Sequence, residues 1–269
     1  MRTAVTLCRV PEAAAGPFVF HEPLEQGFAA AKEACFDSVE LFLPGPGAIT
    51  IEEIQSLSAK HGLGIAAVGT GAGMLRHGLS LTDPSEEKRV AALEFIEGMI
   101  HFGGHLGAPA ILGSMQGKWG GEVSRDQALD WLADALRKTG GMAAKYGVPF
   151  IYEPLNRYET NLINRLADGA AFIESRALEN IVLLADLFHM NIEETNPSAA
   201  IREAGRHIGH VHYADSNRRA MGFGHTDPKP IMAALRESGY TGYLSAEILP
   251  LPDPDTAARQ TISSIHSHL

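Results

Sequence analysis

The chain has 269 residues, of which 45% are hydrophobic and 20% are charged, as in an ordinary globular protein. Its 22 basic and 32 acidic side chains give a net charge of −10, and no block of like charges stands out. Such a surface repels a phosphate backbone, and no basic stripe is present. The composition therefore argues against a nucleic-acid partner.

Three features predict where the protein resides. No apolar stretch reaches the roughly 18 residues that a membrane-spanning helix requires. The N-terminus enters directly into a strand-like run and lacks the apolar core of a signal peptide. Cys8 and Cys35 are isolated, which favours buried reduced thiols over a disulfide. We therefore expect a cytoplasmic protein with no membrane partner.

Eight strand-like runs recur along the chain, and most are continuously apolar, as strands buried on both faces should be. They cover residues 3–10, 37–43, 63–69, 108–113, 148–153, 181–186, 208–213 and 243–247. Segments with helical spacing lie between them, at residues 84–103, 124–146, 166–175, 197–205 and 230–239. This alternation predicts a parallel sheet, and eight units predict a closed (β/α)8 TIM barrel that forms one domain over residues 1–269. We expect the longer loops after strands three, four and seven to cover the barrel mouth.

Each of the last four apolar runs ends in a side chain that can bind a metal. These side chains are Glu153, Asp186, His212 and Glu247, and the gaps between them are 33, 26 and 35 residues. A barrel of about 250 residues contains eight strand-plus-helix repeats, and each gap is close to the length of one repeat. Because the carboxyl ends of all barrel strands meet at one mouth, we expect the four side chains to converge there.

Each residue by itself also has a simpler interpretation. Glu153 could bind loop amides, Asp186 could cap the following turn, and His212 could be a hydrogen-bonded core residue that faces the same side as His210. The combination favours a metal, because three buried carboxylates repel one another unless a cation lies between them. Oxygen ligands with one imidazole suit Mn²⁺, Mg²⁺ or Co²⁺.

Further polar side chains follow the same strand ends. His189 lies three residues after Asp186, and Glu159 lies six residues after Glu153. Arg218 lies in the loop after the seventh strand, where it could hold a substrate oxygen. These positions make all three candidates for substrate contacts.

Two longer strings resemble the ketose 3-epimerases of the D-tagatose and D-psicose (allulose) type. They are residues 153–160 (EPLNRYET) and 186–194 (DLFHMNIEE). Those enzymes belong to the xylose-isomerase-like superfamily of sugar epimerases and isomerases. The resemblance is most specific over residues 147–248. The chain departs from the family pattern at residues 214–218 (ADSNR), where a Gly-Glu-Ala-Asn-Arg-like string is usual, and from Leu249 onward.

The resemblance implies residue roles. Glu153, Asp186, His212 and Glu247 would bind Mn²⁺ or a related ion, and Glu153 and Glu247 would also be the two acid/base groups. Glu159, His189 and Arg218 would contact oxygens around C1 to C3 of a small carbohydrate.

The resemblance also implies a reaction and an assembly state. One glutamate would remove the C3 proton of a ketose to give a cis-enediolate, and the other would return a proton to the opposite face. The assembly would be a homodimer or homotetramer.

Two other enzyme classes are compatible with this barrel. An aldose–ketose isomerase of the same superfamily, acting on hydroxypyruvate or a related small sugar, would need the same metal but would return the proton to the neighbouring carbon. A phosphodiesterase like endonuclease IV would need further histidine ligands on early strands. His77, His101 and His105 fall instead in loop or helix patterns, and the net charge is −10. We therefore favour the epimerase.

Overall fold

The computed structural model describes all 269 residues and contains eight parallel strands. The strands are β1 (Arg2–Cys8), β2 (Ser38–Phe42), β3 (Gly64–Gly69), β4 (Ala110–Leu112), β5 (Phe150–Tyr152), β6 (Ile181–Asp186), β7 (Ile208–His212) and β8 (Tyr243–Ala246). They pair in chain order, and β8 also pairs with β1, so the sheet closes on itself. The predicted (β/α)8 barrel is confirmed.

Ten α-helices accompany the strands. They are α1 (Leu24–Glu33), α2 (Ile51–His61), α3 (Ala72–His77), α4 (Glu86–His105), α5 (Arg125–Ala144), α6 (Leu166–Ser175), α7 (Leu187–Glu193), α8 (Pro197–Ala204), α9 (Pro228–Glu237) and α10 (Pro254–His268). The five predicted helices correspond to α4, α5, α6, α8 and α9. The other five helices, α1, α2, α3, α7 and α10, were not predicted from the sequence.

Two of the missed helices show why the pattern failed. Gly27 lies in the middle of α1, where glycine is a poor helix former. A Cβ at Gly27 would lie 1.7 Å from Leu7 Cδ1, so the missing side chain is what lets α1 pack closely on β1. Helix α10 buries mainly alanine and isoleucine among many polar residues, which leaves a weak apolar stripe. Tertiary packing decides both helices.

The interior of the barrel divides into an apolar and a polar side. Ala67, Ile111, Ile151 and Leu184 form a separate buried cluster, contributed by β3 to β6. The strands of the other side bury polar groups instead, namely Thr6, Glu40, His210 and Ser245. Buried polar groups need hydrogen-bond partners. Thr6 Oγ1 donates to the carbonyl of Ala246 and Glu40 contacts His210 and His212, whereas Ser245 Oγ has no partner.

The cysteines agree only partly with the prediction. Both are free thiols, and Cys8 is buried as expected. Cys35 is exposed, because it lies in the turn after α1 with a φ of +67°. Its predicted burial was therefore wrong.

Among the helices, none has both the length and the apolar character needed to span a membrane.

Candidate active site at the barrel mouth

The four predicted ligands converge at the carboxyl ends of β5 to β8. One ligand atom from each of Glu153, Asp186, His212 and Glu247 lies within 4.8 Å of all the others. His212 Nδ1 is 3.0 Å from Asp186 Oδ2, 3.2 Å from Glu247 Oε2 and 3.6 Å from Glu153 Oε1. The imidazole thus faces three carboxylates at once.

Asp186 serves two purposes with its two oxygens. Its Oδ1 accepts hydrogen bonds from the backbone N–H groups of Phe188 and His189, at 2.9 and 3.1 Å, and so caps α7. The capping interpretation from the sequence is therefore confirmed. Its Oδ2 remains directed at His212 and Arg218. The helix cap fixes the orientation of the carboxylate that faces the cluster.

Glu153 follows β5 directly and presents an unpartnered oxygen. Its backbone is fixed, since the N–H donates to the carbonyl of Leu112 and the carbonyl accepts from the Gln116 amide. Its side chain is almost fully buried, yet Oε1 has no hydrogen-bond partner. Burial raises the pKa of Glu153, which His212 partly opposes. A buried carboxylate oxygen without a donor is costly unless a cation or a substrate supplies the missing contact.

Because Gly113 has no side chain, the carboxylate of Glu153 can lie close to its backbone. A Cβ at Gly113 would lie 2.7 Å from Glu153 Oε2. We expect Gly113→Ala to displace the Glu153 carboxylate and to lower turnover by up to 10²-fold, the cost of a displacement of about 1 Å. Thermal unfolding by circular dichroism checks that the barrel persists. Gly141→Ala is the control, because a Cβ at Gly141 meets nothing within 4 Å. Equal activity of both variants would contradict the assigned role.

Arg218 crosses the cluster from the loop after β7. Its Nη1 donates to Asp186 Oδ2 at 2.5 Å, and its Nη2 contacts Glu247 Oε2. The guanidinium also lies over the ring of Phe188, with Cζ 5.0 Å from the ring centroid. Its backbone is left-handed with a φ of +61°, which is uncommon for a residue other than glycine. The surrounding loop must therefore hold Arg218 in place.

Asp215 organises that loop. Its carboxylate accepts hydrogen bonds from four backbone N–H groups at 2.7 to 3.0 Å, those of Ser216, Gly222, Gly224 and Thr226. Burial raises the pKa of Asp215, but these four donors outweigh it and hold the pKa below its ordinary value. The loop string in which the chain departs from the family pattern thus contains the residue that shapes the loop.

Removing this carboxylate has a predictable cost. Asp215→Ala leaves four backbone N–H donors without an acceptor. Because water reaches some of these donors, we expect a total loss equal to the upper cost of a single unsatisfied buried donor. The free energy of unfolding should therefore fall by about 3 kcal/mol. Urea unfolding measures this loss. Asp227→Ala is the control, since it removes only a helix cap to Lys229 and should cost about 1 kcal/mol. Equal losses would show that Asp215 is an ordinary turn residue.

His189 and Glu159 are joined through Asn156. The Asn156 amide donates to His189 Nδ1 at 2.7 Å and to Glu159 Oε1 at 2.9 Å, while its oxygen accepts from the N–H of Tyr158. Because an amide nitrogen can only donate, His189 Nδ1 accepts. The Nε2 of His189 then faces the cluster, 3.8 Å from Glu153 Oε1. All three predicted substrate-contact residues line the same cavity as the cluster.

Glu40 is a further residue of the site that was not predicted from the sequence. It lies on β2, is 4% exposed, and contacts His212 Nε2 with Oε1 at 3.1 Å and His210 Nε2 with Oε2 at 2.7 Å. His210 and His212 therefore face the same side, as predicted. An acidic residue inside the apolar run SVELF was the available signal. Together Glu40, His210 and His212 form a second polar group, which shares His212 with the four predicted ligands.

The cavity above the cluster has a volume of about 510 Å³. The loops after β3, β4 and β7 contribute to its wall through Thr70, Ser114 and Arg218, as the sequence predicts. Much of the remaining wall is the loop after β1, which was not predicted. In that wall Phe18 stacks on Phe42 with ring centroids 4.4 Å apart.

The residues of the cluster fit a divalent cation. Three carboxylates and one imidazole are oxygen-rich ligands of the kind that Mn²⁺ and Mg²⁺ accept. Burial opposes protonation of His212, but Glu247 and Glu40 outweigh it and raise its pKa, which shows that the cluster attracts positive charge. Glu153 Oε1, which has no hydrogen-bond partner, is available as a ligand atom for such an ion.

Several histidines lie outside the mouth. His77 ends α3, and His101 and His105 lie on α4, where His101 Nδ1 contacts the hydroxyl of Tyr146 at 2.7 Å. None of the three lines the cavity, so they supply no imidazole to the cluster. Trp119, in the loop after β4, does not line the cavity either, and its indole N–H donates to the carbonyl of Asn161.

Comparison with known proteins identifies the family. The sequence profile of the xylose isomerase-like TIM barrel family matches residues 28–268. The chain belongs to the xylose isomerase-like TIM barrel family. It is 35% identical over 230 residues to the L-ribulose 3-epimerase of Mesorhizobium japonicum, covering 83% of this chain and 75% of that protein. It is 30% identical over 256 residues to the 3-dehydro-D-guloside 4-epimerase of Escherichia coli, covering 91% and 94%.

A solved structure has a similar fold along its whole length. The apo crystal structure of the 3-keto-D-glucoside 4-epimerase of Escherichia coli superimposes with a TM-score of 0.81 and 27% identity, covering 99% of this chain and 100% of that one. The named relatives are epimerases, which are enzymes of the isomerase class. The resemblance to sugar epimerases predicted from two short strings is therefore confirmed across the chain.

Proposed function

We propose that the protein is a metal-dependent epimerase that inverts C3 of a ketose. One observation carries this proposal: Glu153 and Glu247 enter one cavity from two different strand ends, those of β5 and β8, and their carboxylates lie 3.6 and 3.2 Å from His212 Nδ1. Inversion of a carbon centre needs a proton acceptor on one face and a proton donor on the other. Two carboxylates that reach the same cavity from non-adjacent strands can supply both groups.

In the proposed mechanism each residue has one task. One glutamate removes the C3 proton of the substrate, and the other returns a proton to the opposite face of the planar cis-enediolate. Arg218 and His189, held by Asp215 and Asn156, bind and orient the substrate oxygens. A divalent ion held by Glu153, Asp186, His212 and Glu247 would supply Lewis-acid stabilisation of the developing negative charge. Mn²⁺ is the ion we propose, with Mg²⁺ and Co²⁺ as alternatives.

The charges of the cavity support an unphosphorylated substrate. Five glutamates line it, namely Glu12, Glu40, Glu153, Glu159 and Glu247. Arg218 is the only arginine or lysine of the lining, and its guanidinium already contacts Asp186 and Glu247. A phosphate group needs cationic or backbone donors, and this wall would repel it. The stacked Phe18 and Phe42 offer an apolar surface to the distal carbons of a neutral sugar.

A 4-epimerase acting on a 3-keto-glycoside is the second candidate. The relative from Escherichia coli with that type of name matches over 94% of its own length. The chemistry is the same, because the inverted carbon again lies beside a ketone. The cavity volume of about 510 Å³ lies within the range of 300 to 1,000 Å³ for drug-sized ligands, so it would also admit a glycoside.

Proton NMR in D₂O tests the function directly. The panel contains free ketoses, 3-keto-glycosides and phosphorylated ketoses. Each compound is incubated with protein that was first loaded with Mn²⁺ and then exchanged into Mg²⁺. Exchange and inversion at C3 of a free ketose support the proposal. Inversion at C4 of a 3-keto-glycoside supports the second candidate, and an aldose labelled at C2 indicates an isomerase. No exchange with any substrate would refute all three.

Other expectations stay predictions. They are a cytoplasmic location and a homodimeric or homotetrameric assembly. Sedimentation of the purified protein would determine the assembly state.

A further inference from the structure

Glu40 reaches the candidate metal cluster from the opposite side of the barrel. It lies on β2, whereas the histidines that it contacts lie on β7. Each of its oxygens has one partner, with His212 Nε2 at 3.1 Å from Oε1 and His210 Nε2 at 2.7 Å from Oε2. All three side chains are buried, so water does not compete for these contacts.

The two nitrogens of His212 face different partners. Nδ1 faces the carboxylates of Asp186, Glu247 and Glu153, and Nε2 faces Glu40. A neutral imidazole carries one N–H, and a carboxylate can only accept a hydrogen bond. When Nε2–H donates to Glu40, the lone pair of Nδ1 is directed at the cluster. A metal ion binds the unprotonated nitrogen of a histidine, so this tautomer is the one that a ligand role requires.

We propose that Glu40 is a positioning residue that fixes the tautomer and the ring orientation of His212 for the divalent ion. His210 has a supporting part, because its Nε2 holds the second oxygen of Glu40. This proposal rests on the proposed function, which places an ion among Glu153, Asp186, His212 and Glu247. Loss of such an outer partner typically weakens metal affinity or activity by 10- to 100-fold.

Glu40→Gln tests the proposal with the least change of shape. The amide keeps one acceptor oxygen, but its NH₂ group faces one of the two imidazoles. If the NH₂ group faces His212, the ring must carry its proton on Nδ1, which blocks the ligand lone pair. Even with the opposite amide orientation the acceptor is no longer charged, and charge-assisted hydrogen bonds are roughly twice as strong as neutral ones. Both orientations weaken the support of His212.

The matched control is Asp37→Asn. Asp37 lies one residue before β2, and its Oδ2 accepts from the backbone N–H and the hydroxyl of Thr3 at 2.7 and 3.0 Å. It is also a hydrogen-bonded carboxylate, but it has no contact with the cluster. Calorimetric titration with Mn²⁺ should show affinity reduced 10- to 100-fold in Glu40→Gln and unchanged in Asp37→Asn. Circular dichroism verifies the fold of each variant.

A second measurement reports on His212 without activity or mutation. Long-range ¹H–¹⁵N NMR of the Mg²⁺-loaded protein should show the His212 ring with its proton on Nε2. If the ring carries the proton on Nδ1, the proposal is overturned, even where Glu40→Gln fails to fold.

The outcomes separate this proposal from the function on which it rests. One ion per chain, with unchanged affinity in Glu40→Gln, would overturn the role of Glu40 and leave the epimerase intact. Two ions per chain would also overturn it, because Glu40, His210 and His212 would then form a second metal site. A wild-type protein that binds no ion would refute both proposals.

Discussion

Glu153→Gln and Glu247→Gln should each lose at least 10²-fold in turnover while the barrel stays folded. A positioned acid or base typically contributes 10² to 10⁴-fold, and inversion needs one such group on each face of the substrate. Both substitutions keep the side-chain volume. The backbone contacts of Glu153 to Leu112 and Gln116 do not involve its carboxylate, so they should persist.

Hydrogen exchange distinguishes the two glutamates. Each variant retains one base, and we expect that base to exchange the C3 hydrogen of one epimer with D₂O without inverting it. The two variants should act on opposite epimers. Saturating metal is used, because both residues also belong to the cluster. Glu174→Gln is the control, since Glu174 lies on the surface with Arg206 and His207. More than about a tenth of wild-type activity in either active-site variant would refute the assigned role.

Removal of divalent ions should abolish turnover, and Mn²⁺, Mg²⁺ or Co²⁺ should restore it. The reason is the cluster itself, whose three carboxylates and one imidazole gather within 4.8 Å. An ion that binds only the folded protein also stabilises it, by about 2.7 kcal/mol at a free concentration of 100 times Kd. We therefore expect the thermal unfolding temperature to rise with added ion.

The control for ion removal is sodium chloride at matched ionic strength, which screens charges without binding as a ligand. It should neither restore turnover nor reproduce the rise in unfolding temperature. A chelated protein that is free of metal by elemental analysis and still turns over at the full rate would exclude metal dependence. In that event Arg218, which already contacts Asp186 and Glu247, would be the remaining source of positive charge.

Features that repeat along the chain were predictable from the sequence. The eight apolar runs correspond to β1 to β8, and Glu153, Asp186, His212 and Glu247 converge as their spacing indicated. The physical reason is that a parallel barrel places the carboxyl end of every strand at one mouth, so position in the repeat predicts position in space. The two strings around Glu153 and Asp186 additionally predicted the family that the comparisons show.

Contacts between distant parts of the chain were decided only by the tertiary structure. Glu40 contacts His210 and His212 across 170 and 172 residues, and this contact exists because β8 pairs with β1 to close the sheet. Phe18 reaches the cavity wall because the loop after β1 turns over the mouth. Neither contact produces a periodic pattern in the sequence. Spacing determined which strand ends bear the candidate ligands, and closure of the barrel decided which residues orient them.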